Sequence, residues 1–237
     1  MGAIARRQSK GKVLVNTRKL ASMLNPKTCR FDIGRGGIPT LTPQDVAAAI
    51  GMVGDTLARE VFCAVWWPDG AALVAAELDR LIARAQFGEW KERADKLLHA
   101  QLAVATADVS GDPHDARRAK QMMDHAKRTL WPSLKSRTYA SIRGAALSEL
   151  RNPALCPACK GRGTVERRSL VVPCEACAET GSTPWSERAR ASAIGISWTP
   201  YRENGWNDVY AWTHALLSDA ADRGAAIVAR RIGRNAA

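Results

Sequence analysis

CPACKGRGTVERRSLVVPCEACAETG, residues 156–181, holds four of the six cysteines in a chain of 237 residues. They stand as two Cys-x-x-Cys pairs, Cys156/Cys159 and Cys174/Cys177, with fourteen residues between them. Glycines and arginines fill much of the rest, so the segment has too little apolar surface to fold by burial alone. Each Cys-x-x-Cys forms a tight knuckle that aims two sulfurs at one point. Two knuckles complete the closed tetrahedral set of a structural Zn2+ site, with Zn–S bonds of about 2.3 Å. Gly161 and Gly163 follow the first knuckle as Cys-x-x-Cys-x-Gly-x-Gly, where glycine lets the backbone turn back and donate N–H groups to sulfur. Pro173 precedes the second knuckle. Between them TVERRSLVV, with Val165, Leu170, Val171 and Val172, predicts a short β-hairpin. A thioredoxin-like redox pair requires one Cys-x-x-Cys opening a helix on a βαβ scaffold, which this chain does not show. A catalytic zinc keeps an open position, and four cysteines leave none. Cys29 and Cys63 are spare, and Cys63, in an apolar helical stretch, reads as a buried small hydrophobe.

Working outward, 46% apolar residues are enough for a core. No apolar run reaches the eighteen or so residues that cross a bilayer, so no membrane partner is expected. The N-terminus, MGAIARRQSKGKVLVNTRKL, is basic and lacks the apolar stretch of a signal peptide. The compartment expected is a reducing cytoplasm, where clustered cysteines bind metal rather than pair as disulfides. The net charge of +12 is uneven: residues 1–39 carry nine Lys/Arg against one acid, and residues 40–108 carry six against ten. A chain this basic points to a polyanion, with double-stranded DNA the first candidate. The basic arm, residues 1–39, is expected to add backbone affinity.

The chain reads as mainly α. In IPTLTPQDVAAAIGM, Thr42 is placed as N-cap with Pro43 in the first helical position. Helix continues, broken near Gly54, through GDTLAREVFCAVWW to Pro68-Asp69-Gly70. AALVAAELDRLIARAQF (71–87) and EWKERADKLLHAQLAVATAD (89–108) read as two further helices, the first with Leu73, Leu78, Leu81 and Ile82 at helical spacing. DARRAKQMMDHAKRTLW (115–131) comes after Gly111-Asp112-Pro113, with Met122 and Met123 as core filler. KSRTYASIRGAALSEL (135–150) ends near Asn152-Pro153. The domain division expected is a flexible arm (1–39), a helical domain (40–155), the zinc loop (156–181) and DNA-binding helices (182–237).

SERARASAIGIS looks like the first half of a helix-turn-helix. Ala191 is the small residue where two helices cross, Gly195 makes the turn, Ile196 points inward and Ser197 caps the next helix. The second helix is expected from about Asn207 to Arg223, with Val209, Trp212, Leu216 and Ala220 on its inner face. The zinc loop can be read as an insertion between the helix at 136–150 and these helices. The DNA face expected on chemical grounds comprises Arg162, Arg167, Arg168, Arg188, Arg190, Arg202, Asn204 and Asn207. Arginine forks match guanine edges and phosphates, and asparagine matches adenine. There is no Ser/His/Asp order, P-loop or paired-carboxylate motif. His99, His114, His125 and His214 are scattered, and no enzyme activity is expected.

Cys-Pro-Ala-Cys-Lys-Gly-Arg-Gly, a second Cys-x-x-Cys, then a Ser/Arg/Ala-rich helix and a tryptophan-containing helix resemble the lambda Q-type phage transcription antitermination proteins. TPQDVAAAIGMVGDTLAREVFCA resembles the start of that family's folded core, and PWSERARASAIGISWTPYRENGWNDVYAWTHALL its C-terminal part. The loop between the knuckles is shorter here, and Ala178-Glu179-Thr180-Gly181 lacks the first glycine of the motif. The resemblance implies a transcription factor that binds DNA within a late promoter in the bacterial cytoplasm. It implies loading onto paused RNA polymerase, touching sigma factor, so that the polymerase ignores terminators. Two alternatives stand beside it: another zinc-dependent DNA-binding regulator, and a protein-binding module like the cysteine-rich region of DnaJ chaperones. The latter family carries four such motifs and a His-Pro-Asp J-domain, neither of which is present.

Overall fold

Asp55, Asp112 and Ser186 start three helices by one device: a side-chain oxygen accepts an N–H of the first turn. The partners are Ala58 at 3.0 Å, His114 at 2.8 Å and Ala189 at 3.2 Å. The computed structural model of the chain describes residues 43–134, 137–167 and 170–235. Among these residues the α-helices are α1 (Pro43–Gly51), α2 (Thr56–Trp66), α3 (Ala75–Ser110), α4 (Pro113–Thr129), α5 (Thr138–Arg151), α6 (Glu187–Ala193), α7 (Trp198–Glu203) and α8 (Trp206–Asn235). The strands are β1 (Ala154–Leu155), β2 (Thr164–Arg167), β3 (Leu170–Pro173) and β4 (Ser182–Thr183), and the fold is mainly α as expected. The Thr42 cap, the arm of residues 1–39, Cys29 and Arg168 lie outside the described residues.

The expected helices at 71–87 and 89–108 are one helix, α3, of 36 residues. Gly88 does not interrupt it, because an exposed glycine inside a helix costs only about 1 kcal/mol and packing on both sides outweighs that. Gly111, at φ +69, ends α3 with its N–H on Ala107 O at 3.1 Å. Asp112 and Pro113 then start α4, so α3 and α4 form an antiparallel hairpin. Its seam is alanine: Ala100, Ala107, Ala119 and Ala126 are buried. Met122 and Met123 are not core filler, since Met122 is 44% exposed and Met123 only half-buried.

α8 is the axis of the body. It packs against α1, α2 and α5. Gly224 is where α2 comes closest: a Cβ there would lie 2.7 Å from Ala58 O and 2.8 Å from Phe62 Cβ. The inner face of α8 is Val209, Thr213, Leu217 and Ala220; Val209 and Ala220 are as expected, while Trp212 and Leu216 are half-buried, so the face is rotated by part of a turn. Trp131 meets Trp212 edge-on at 5.2 Å, and Tyr139 meets Trp206 at 5.3 Å. Gln86 and Thr213 bond at 2.8 Å, and Arg143 holds Gln86 and both oxygens of Asp79, so these polar side chains are paired beneath the layer. One apolar cluster draws on Val61, Leu78, Ile142, Ala191, Tyr201 and Leu217. The helices before and after the cysteine loop thus share a core. A second cluster joins α1 and α2 to Ala225 and Val228 of α8, and Cys63 is buried in it.

Candidate metal centre and the helices beside it

Short strands bring the two knuckles together. β2 and β3 pair antiparallel as the expected hairpin, Val165 opposite Val172, and β1 pairs with β4 at the base, Ala154 opposite Thr183. The four cysteine sulfurs then lie within 4.8 Å of one another, and all four residues are buried. Cys156 and Cys174 sulfurs are 3.9 Å apart, and those of Cys159 and Cys177 are 3.7 Å apart. A regular tetrahedron with metal–sulfur bonds of ~2.3 Å has edges of about 3.8 Å, so the donor set fits a tetrahedral ion.

The knuckles mirror each other in backbone as well as sulfur. Gly163 N–H donates to Cys159 Sγ at 3.2 Å, and Gly181 N–H donates to Cys177 Sγ at 3.3 Å. Cys156 N–H reaches Gly181 O and Cys174 N–H reaches Gly163 O, both at 2.9 Å. A Cβ on Gly163 would strike the carbonyl of Glu179, and one on Gly181 would strike that of Gly161, so neither knuckle tolerates a side chain there. Glu179 stands where the first knuckle has Gly161 and takes the same left-handed backbone, at φ +66 against +87. Burial resists ionisation of the Cys159 thiol, but the Gly163 N–H and the neighbouring thiols outweigh it and bring it down to about 7. Burial and the Cys177 thiol push Cys174 up to about 11. Four cysteines with N–H groups already aimed at sulfur are the chemistry of thiolate ligation.

After the loop, the chain makes a helix-turn-helix-like unit. Ala191 is buried, Gly195 has φ +75, and the Ile196 N–H returns to Ala191 O at 3.1 Å. The helix after this turn is α7, six residues long, and not the expected Asn207–Arg223 segment. Gly205, at φ +75, separates α7 from α8, whose first turns are buried at Trp206, Val209 and Tyr210. Arg202 therefore sits in the last turn of α7, Asn204 caps its C-terminus, and Asn207 is half-buried at the start of α8.

The remaining arginines of the expected DNA face divide in two. Arg188 and Arg202 are exposed and both lie over the Trp198 ring, at 5.8 and 5.4 Å. They form one outward cationic group around an indole that stacks on Tyr201. Arg162 and Arg167 are exposed on the cysteine loop, and Arg167 approaches Glu175 at 3.7 Å. Arg190 points inward. Its guanidinium forks onto both oxygens of buried Glu149, at 2.9 and 2.7 Å, and lies over Tyr210. Glu149 also accepts the Trp185 N–H at 2.8 Å and the Tyr210 hydroxyl at 2.9 Å. Burial works against the Glu149 charge, yet Arg190, Trp185 and Tyr210 together hold its carboxyl below the ordinary carboxylate value. Trp185 Nε1 bonds Asn152 O at 2.9 Å. One carboxylate thus ties α5, the exit of the cysteine loop, α6 and α8 together. The sequence reading missed it, and its only local signal is a lone acid between Leu147 and Leu150.

Among the described residues no other cluster of His, Cys, Asp or Glu could hold a metal ion. His99, His114 and His125 are exposed, and His214 faces Glu149 at 3.7 Å. No described helix is long and apolar enough to cross a membrane. The chain matches no protein-family model, no curated protein and no solved structure.

Proposed function

We propose that the protein is a zinc-containing, DNA-binding transcription antiterminator. The observation that carries the reading is a four-sulfur loop set directly before a helix-turn-helix whose outer surface presents Arg188, Trp198 and Arg202 together. Zn2+ fits the donor set best: it takes four thiolates tetrahedrally, and it supplies folding energy to a loop with no apolar core of its own. Cys156, Cys159, Cys174 and Cys177 hold the ion. Arg188 and Arg202 meet the phosphates and base edges of double-stranded DNA, Asn204 lies beside them, and Arg162 and Arg167 add backbone contacts from the loop. Arg190 has no part in this contact, because its charge is spent on Glu149. The step from DNA-binding regulator to antiterminator, acting on bacterial RNA polymerase with its sigma factor, rests on the resemblance of the cysteine motif and its flanking segments to the lambda Q-type proteins. None of the groups described performs a covalent step in this mechanism.

Two measurements test it. Duplex binding followed against salt should weaken roughly 5- to 150-fold for Arg202→Ala, equivalent to about 1–3 kcal/mol. Purified polymerase transcribing a template with the protein's own late promoter and a downstream terminator should read through only when the protein is present. DNA binding without read-through would leave a zinc-dependent regulator of another kind. Binding to unfolded polypeptide with no affinity for DNA would favour the chaperone-like module instead.

A further inference from the structure

We propose that α4 is a second nucleic-acid contact, extending the footprint of the helix-turn-helix along the phosphate backbone of the flanking duplex. The inference rests on the DNA-binding reading and adds to it a surface on a helix well before the zinc loop in sequence. At 100° per residue, Arg117, Lys120, Lys127 and Arg128 fall within one arc of about 100° on α4, Arg117 and Arg128 opposite the buried seam of Ala119 and Ala126 and Lys120 and Lys127 on its flank. All four are exposed. None makes an ion pair or side-chain hydrogen bond among the described residues, whereas Arg93, Lys96, Arg143 and Arg190 each have an acid within 2.7 Å. Asp124 is the one acid on that face. The face carries no large apolar side chain, which a lipid surface would require.

Position supports the same partner. The C-terminus of α4 runs through Trp131 and Pro132 into the junction of α7 and α8. Trp131 packs on Trp212 of α8, and Pro132 Cδ lies 3.9 Å from where a Cβ of Gly205 would be. Arg128 is four residues before Pro132, so the cationic face begins close to the junction that carries Asn204 and Asn207. From there it runs back to Arg117, about 17 Å along the helix. A row of unpaired cations on a helix that ends beside α7 and α8 matches the regular negative charge of a duplex flank.

The test uses the full chain and a long duplex of mixed sequence, with the affinity measured across salt. Replacing Arg117, Lys120, Lys127 and Arg128 by Gln together should flatten the slope of log K against log salt by about 3.6. Replacing four exposed cations outside α4, Arg80, Arg84, Arg230 and Arg231, should leave the slope nearly unchanged. Gln121→Lys, a gain of charge on the same face, should steepen it by about one, and this arm does not depend on the fourfold variant folding. If Arg188→Gln/Arg202→Gln weakens binding while the α4 variants leave the slope alone, the inference fails and the DNA-binding reading stands. Equal loss in the α4 and control variants means bulk charge and also overturns it. No binding by the unaltered protein overturns both.

Discussion

The cysteine loop and the helical body hold themselves together by opposite means. The body buries aromatic and aliphatic side chains from helices on both sides of the loop, and the buried Gln86, Thr213 and Glu149 are each paired. The loop buries four sulfurs with only Val165 against them, exposes Leu155, Leu170 and Val171, and bends through Lys160, Ala178 and Glu179 at positive φ. A chain that accepts non-glycine residues in the left-handed region needs some other interaction to over-determine its path. In the body, cohesion is spread over many contacts. In the loop it converges on four sulfurs placed to hold a metal ion. The two should therefore respond independently to damage, except at Glu149, where they are joined.

The largest effect separates them outright. Cys156→Ser with Cys174→Ser should take metal content from one ion per chain to none and unfold the loop, while the far-UV signal of the helices is nearly kept. Retained metal, or helices that melt with the loop, would break the contrast. Glu149→Ala strikes the joint. It leaves the Arg190 charge largely buried without its partner, at a cost of about 3–5 kcal/mol in denaturant unfolding. The pH dependence has a definite sign. The folded Glu149 carboxyl sits below its ordinary value of 4.5, so its contribution is complete above that value and is lost as pH falls through the folded one. Glu149→Gln should flatten that acid limb. Gly224→Ala attacks the body alone: the added methyl meets Ala58 O and Phe62, costing about 1–3 kcal/mol with metal content unchanged. The smallest effect has the opposite direction. Gly88 has open space around it inside α3, so Gly88→Ala should stabilise by about 0.5–1 kcal/mol, read as a raised Tm.

Legibility in the sequence splits along the same line. The four-cysteine cluster, the hairpin inside it and the turn at Gly195 were legible because each depends on residue type at short spacing. The joining of two expected helices through Gly88 was not, because a glycine reads as a break until neighbouring packing is known. The second helix of the helix-turn-helix-like unit was misplaced for a related reason. α7 is too short to show periodicity, and the strong pattern after Asn207 belongs to the core helix α8. Arg190 looked like its neighbour Arg188 in the sequence. Only the fold turns it onto Glu149, 41 residues earlier in the chain.

The pairing of β1 with β4 carries a consequence for how such a molecule changes over generations. Leu155 faces Ser182, and the Cys156 N–H meets Gly181 O, so the loop leaves the body and returns to it at neighbouring points. Whatever lies between them leaves the path from α5 to α6 undisturbed. The segment is a detachable cassette: a two-residue Asn-Gly turn closes the same gap, and a longer hairpin fits it equally well. Lengthening, shortening or exchanging the cassette should therefore leave the surrounding helices in register.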